Sequence, residues 1–159
     1  MGCYQCDEQK IATTKTYIMD KIELTELANK LFMYTDYHRW VDLLNEVFTE
    51  DVWVDMASAG GGEPKTMKAK DLCTMWADGF TGLDSVHHQA GHYLTTVDGD
   101  NADIFAYAVA YHFKTSATKG TTRSFVGSYD LKAVKTAAGW RLNQFKYNLK
   151  FIDGNATLE

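Results

Sequence analysis

Three of the chain's five histidines fall within one short run, Val86-His87-His88-Gln89-Ala90-Gly91-His92-Tyr93-Leu94. An imidazole titrates near neutral pH and can act as base, acid or metal ligand. The run reads as a β-strand, and strand side chains alternate between faces. His88 and His92 then share one face, while His87 points the other way with Gln89 and Tyr93. Four residues of strand cover roughly 13 Å. That is too far for His88 and His92 to share an ion with a carboxylate such as Asp36, unless the strand bulges. No metal centre is therefore expected, and proton transfer is the chemistry to look for. The plainer alternative is that each histidine packs in the wall and satisfies one hydrogen bond.

Other residues invite the same double reading. Asp36 opens the polar break Asp36-Tyr37-His38-Arg39, where it could face a pocket or cap the next helix. His112 has the same parity as Ala106, Ala108 and Ala110, a small-residue face with room for a packed helix or a ligand. His38 reads as a solvated loop residue. Trp53, Trp76 and Trp140 suit a core as well as a ligand platform. Cys73, within an apolar helical pattern, reads as a small buried hydrophobe. Cys3 and Cys6 form a lone Cys-x-x-Cys with no second ligand pair to make a zinc site.

The elements that must position these residues follow from periodicity. Residues 1–16 show no apolar period and read as a loose arm. Leu24, Leu27, Ala28, Leu31 and Phe32 then mark one face of a helix running from Tyr17 to about Asp36. A second helix buries Trp40, Val41, Leu44, Val47 and Phe48. A short strand is predicted over 52–56, a glycine-rich turn over 57–64, and a third helix over 69–80. Four long strands follow, over 85–97, 103–115, 121–135 and 140–151, joined by short turns such as Asp98-Gly99-Asp100-Asn101. Helices first and hairpin-linked strands after them make an α+β fold. One domain is expected over 17–153, with a tail from Asp153.

Composition narrows the function classes. Net charge is −5 and no basic stripe is present, which argues against nucleic-acid binding. Gly60-Gly61-Gly62 lacks the lysine and the strand-to-helix setting of a phosphate loop. No apolar run is long enough to span a membrane, and Met1 to Lys21 has no signal-peptide core. The chain is read as cytoplasmic. Aromatic residues make up 13% of it, enough to line a pocket with rings.

Five short motifs follow one another along the chain: Tyr34-Thr35-Asp36-Tyr37-His38-Arg39-Trp40, Phe48-Thr49-Glu50-Asp51-Val52, His87-His88-Gln89, Val97-Asp98-Gly99-Asp100-Asn101-Ala102 and Gly139-Trp140-Arg141. In this order and spacing they resemble the SnoaL-like proteins of the nuclear transport factor 2-like superfamily. The resemblance covers about Asp20 to Phe151. It implies a cone, with a bent antiparallel sheet wrapped around three helices and a pocket at the open end, and it implies a homodimer. Scytalone dehydratase and hexachlorocyclohexane dehydrochlorinase pair an Asp at the end of the first helix with a His on the strand after the third. By resemblance these are Asp36 and His88, a carboxylate-oriented general base. His112 corresponds to a second pocket histidine, and Ser128 falls near a pocket asparagine. The dehydratase's two carbonyl-polarising tyrosines are replaced by Thr35 and Met56. The dehydrochlorinase's lysine is replaced by Leu31 or Phe32. Tyr34, Trp53, Tyr129, Asn143 and Tyr147 are candidates to take over substrate binding. The function so implied is a lyase or isomerase without a cofactor, acting on a small, largely apolar molecule. The alternative is a non-catalytic ligand-binding or dimerisation module of the same fold.

Overall fold

The computed structural model describes the backbone of residues 3–159 and the side chains of Ile11 and of residues 13–159. Its elements run α1 (Cys3–Asp36), α2 (Trp40–Asp42), β1 (Phe48–Asp55), β2 (Lys65–Lys68), α3 (Ala69–Gly79), β3 (Ser85–Asp98), β4 (Asn101–Phe113), β5 (Thr122–Thr136) and β6 (Gly139–Gly154). The α+β reading holds, with one curved, unclosed six-stranded sheet in the order β2-β1-β6-β5-β4-β3. β3 to β6 form an antiparallel meander, whereas β1 runs parallel to β6.

α1 packs its Leu24, Leu27, Ala28, Leu31 and Phe32 face against the concave side of the sheet. Of the segment read as a loose arm, residues 3–16 form the first part of this helix, and Met1 and Gly2 lie outside the described residues. No Gly or Pro interrupts the chain from Cys3 to Asp36. A helix nucleated on the core can therefore propagate outward one residue at a time. Cys3 and Cys6 lie outside the described side chains.

The other end of α1 matters more, because it sets Asp36. His38 adopts φ +53°. The Arg39 N–H donates to the Tyr34 carbonyl at 2.7 Å and the His38 N–H to the Thr35 carbonyl at 3.1 Å. This is a Schellman ending with His38 in the left-handed position, so Asp36 is the last helical residue. The next helix is shorter than its apolar pattern suggests. α2 continues as a π-helical turn, Leu43–Val47, and β1 already begins at Phe48. Phe48 leaves the helix to pair with Leu142.

Two further differences lie in segments read as turn or tail. Lys65–Lys68 pairs with β1 as an edge strand. At the C-terminus, Leu158 is buried, and Thr118 and Lys119 donate N–H bonds to the Glu159 carbonyl.

Candidate active site

Asp36 projects from the last turn of α1 toward β3. Its Oδ1 lies 2.6 Å from His88 Nδ1, and its Oδ2 accepts the His88 backbone N–H at 2.8 Å. Both side chains are about nine-tenths buried. α2 instead has Arg39 at its N-cap, with no side-chain capping bond, so both Asp36 oxygens are turned to His88. A carboxylate can only accept here. The neutral His88 ring therefore carries its proton on Nδ1 and keeps its lone pair on Nε2. Phe32 stacks on the ring at 5.4 Å between centroids and fixes its plane.

A second histidine is held in the opposite tautomer. His112, on β4, receives Arg123 Nε at 3.3 Å and Nη2 at 3.1 Å on its Nδ1. A guanidinium only donates, so Nδ1 is the acceptor and the proton sits on Nε2. Burial first, then the positive charge of Arg123, pushes His112 down to about 4. It is a neutral hydrogen-bond donor at physiological pH.

His88 and His112 line one cavity of about 230 Å³. Its floor is the concave sheet, with Ala110, Phe125, Tyr129, Phe145 and Tyr147. Its walls are Leu31, Phe32 and Thr35 from α1, Trp76 and Phe80 around α3, and Met56 and Ala59 after β1. The small face of β4 thus leaves room for a ligand at Ala110. No Asp, Glu, Lys or Arg lines the cavity. The charges of Asp36 and Arg123 stand behind the histidines. Thr35 Oγ1 donates to the Leu31 carbonyl at 2.7 Å, which leaves the wall beside it apolar in character. Burial raises the Tyr129 hydroxyl far above its ordinary value and pushes that of Tyr147 up to about 12. Both stay protonated at any ordinary pH.

Of the residues singled out from sequence, Asp36, His88, His112, Tyr129 and Tyr147 come together here. Tyr34, Trp53 and Ser128 do not line the cavity. Tyr34 donates its hydroxyl to Glu46 at 3.0 Å, under the Arg39 guanidinium. Trp53 alternates with the buried Val52 and Val54 and so faces the other side of β1. Ser128 likewise alternates with Tyr129 and lies on the convex side of β5. Asn143 is exposed.

His92 does not share the face of His88. One extra residue is inserted in β3 between Gly91 and Leu94, and His92 takes φ +56°. This bulge reverses the parity of the strand, so that Tyr93, Thr95 and Val97 point inward and His92 is exposed. Arg123, Phe125 and Phe80 are site residues that motif reading missed. Arg123 is detectable only through its cross-strand pairing with His112, which requires the β4–β5 register.

Comparison with known proteins places the chain. The SnoaL-like domain family matches residues 16–146. The uncharacterised protein Rv2910c of Mycobacterium tuberculosis is 29% identical over 127 residues, 79% of this chain and 82% of its own length. The Kfla4162 protein of Kribbella flavida superposes with a TM-score of 0.84 at 30% identity, over 89% of this chain and 97% of that one. A candidate scytalone dehydratase from Novosphingobium aromaticivorans gives 0.76 at 15% identity, over 89% and 91%. A hexachlorocyclohexane dehydrochlorinase gives 0.72 at 10% identity, over 88% and 91%. At these identities the last two show a shared fold alone. On the family match and the 30% identical relative together, the chain belongs to the SnoaL-like domain family, built on the cone of the nuclear transport factor 2-like proteins.

Proposed function

We propose that the protein is a lyase or isomerase that needs no cofactor, with His88 as general base and Asp36 as the group that orients it. The observation that carries this is the 2.6 Å contact between Asp36 and His88 Nδ1 at the wall of an apolar cavity. It leaves Nε2 as the basic atom, and a buried carboxylate stabilises the imidazolium formed when that atom takes a proton. His112 offers an N–H to a polar group of the substrate without adding charge. The uncharged lining selects a neutral molecule, because a bare ion would lose its hydration with no opposite charge to meet it. The fold shared with a candidate dehydratase and a dehydrochlorinase supports proton abstraction next to a leaving group.

The test is turnover of neutral cyclic and aromatic compounds that can lose water or hydrogen halide, followed by chromatography. His88→Gln, which keeps an amide beside Asp36, should reduce turnover to background. Asp36→Asn frees the ring to take the other tautomer and should slow turnover by at least about 100-fold. Turnover by His88→Gln at the native rate would remove His88 as the base. Tight binding of such compounds with no turnover would leave a binding module.

The same reading includes a homodimer. The convex face of β4 and β6 exposes Tyr107, Tyr111, Phe113 and Phe151, an apolar patch of the kind that marks an interface. Tyr111→Glu should convert the dimer to a monomer in sedimentation velocity.

A further inference from the structure

The outer face of the sheet carries a groove of about 460 Å³, on the other side of the strands that floor the cavity. In the register, Gln89, Val109, Val126 and Phe151 stand side by side across β3, β4, β5 and β6. Val109 alternates with the buried Ala108 and Ala110, and Val126 follows Phe125, a cavity residue, so both valines point outward. They make an apolar floor. Gly91 extends it, since a Cβ there would meet nothing within 4 Å. Three strand spacings, roughly 14 Å, separate Gln89 from Phe151.

A bulge brings a cation to this floor. In β6, Val126 pairs with Phe151 and Gly127 with Leu149, so Lys150 is the inserted residue. Its Nζ lies 4.1 Å from the centre of the Tyr107 ring, which walls the groove. The bulge in β3 sets His92 against the edge of the same ring, at 5.8 Å between centroids, and so fixes the wall. The other lysines of β5 and β6, Lys132, Lys135 and Lys146, each meet a carboxylate, at 3.4, 2.6 and 3.3 Å. Lys150 has no carboxylate partner among the described residues. No Asp or Glu lines the groove, although the chain carries a net charge of −5. An ammonium over an exposed ring is only weakly held, and its three N–H donors gain no oxygen from the ring.

We infer that this groove is a second ligand site and binds a small amphipathic carboxylate. A flat ring body lies on Val109 and Val126, and its carboxylate pairs with the Lys150 ammonium. A sheet surface suits a flat body, and the ion pair sets its direction along the groove. The Gln89 amide, at the far end of the floor, meets a polar substituent there. Tyr107 and Phe151 also belong to the apolar patch proposed above as a dimer interface, so a second copy is the rival occupant. Two-fold pairing over the groove itself would bring two Lys150 ammoniums together with no carboxylate between them. The small acid is therefore the better fit, and Tyr111 and Phe113 are left to the dimer. Groove and cavity stand back to back on the same strands and select opposite charges, an anion outside and a neutral molecule within. His88 and Asp36 take no part in the groove.

The experiment titrates the full chain with 2-naphthoate and with its uncharged analogue 2-naphthamide at low salt, followed on methyl NMR signals. Val109 and Val126 report the groove, and Leu31 and Ala110 report the cavity. 2-Naphthoate should shift the two valines saturably, with a Kd of roughly 1 mM or tighter. Lys150→Gln should weaken this at least about 10-fold, and Lys150→Arg should restore it. 2-Naphthamide should act on the valines at least about 10-fold more weakly than the acid. Equal action of the two compounds on the valines, or native affinity in Lys150→Gln, overturns the anionic ligand class. Shifts by 2-naphthoate at Leu31 and Ala110 alone place the acid in the cavity and overturn the groove. No saturation at either site overturns it too. A change in the sedimentation velocity of Lys150→Gln in that case makes a second copy the occupant.

Discussion

His88 and His112 are chemically identical side chains that the fold makes different. Asp36 behind one ring draws the proton to Nδ1, and Arg123 behind the other holds it at Nε2. One is left as an acceptor toward the cavity and the other as a donor. The cost of keeping His112 neutral should be visible in acid. Its folded pKa is lowered to about 4 from an ordinary 6.5. Between those values the unfolded chain binds a proton that the folded chain does not, so stability falls as pH falls through this window. Below about 4 the group adds no further loss. The full effect is roughly 3 kcal/mol. Urea denaturation at pH 7 and pH 4.5 should show a loss in the native protein that is markedly smaller in His112→Gln. The pairing of Asp36 with His88 was legible in sequence only by resemblance, because 52 positions separate the two. Tyr34 and Trp53 looked equally suitable by type. Their exclusion depends on Glu46 and on the phase of β1, neither of which is a local signal.

At the scale of elements, two local irregularities in the sheet shape the site. The bulge in β3 adds one residue and turns His92 out of the cone. Strict alternation had joined His92 to His88, and nothing in Gly91-His92-Tyr93 announces that the period breaks there. A β-branched residue fits the left-handed conformation poorly. His92→Val should therefore cost about 1–3 kcal/mol in chemical denaturation while turnover per folded molecule stays unchanged. Gly127 is the second irregularity. A methyl there would meet the Tyr147 ring and, at 2.5 Å, the Asn148 carbonyl oxygen. Gly127→Ala should lower the melting temperature, the equivalent of about 1–3 kcal/mol for an overpacked site. It should also reduce turnover through displacement of Tyr147. The elements themselves were mostly legible. Amphipathic period gave the face of α1, apolar spacing gave α3, and alternation gave the four long strands. The parallel pairing of β1 with β6 was not, since it joins segments nearly a chain length apart. Nor was the length of α1, where tertiary support decides what propensity leaves open.

The whole molecule is a curved sheet closed over by helices, and no described helix is long and apolar enough to cross a membrane. A deep apolar space lies where α1, α3 and the sheet meet. The two ions behind the histidines have a consequence at this scale. A carboxylate on the β3 side and a guanidinium at the β4–β5 edge, with an uncharged space between them, set up a standing electric field across the cavity. It points from Arg123 toward Asp36, so it pushes electrons toward Arg123 and the proton toward Asp36, the separation that proton abstraction by His88 requires. Because the low-polarity lining screens it poorly, the field persists before any ligand arrives. A neutral aromatic nitrile bound there would report it as a shift in its stretching frequency. That shift should shrink when either Asp36→Asn or Arg123→Gln removes one pole, and it should nearly vanish when both are removed.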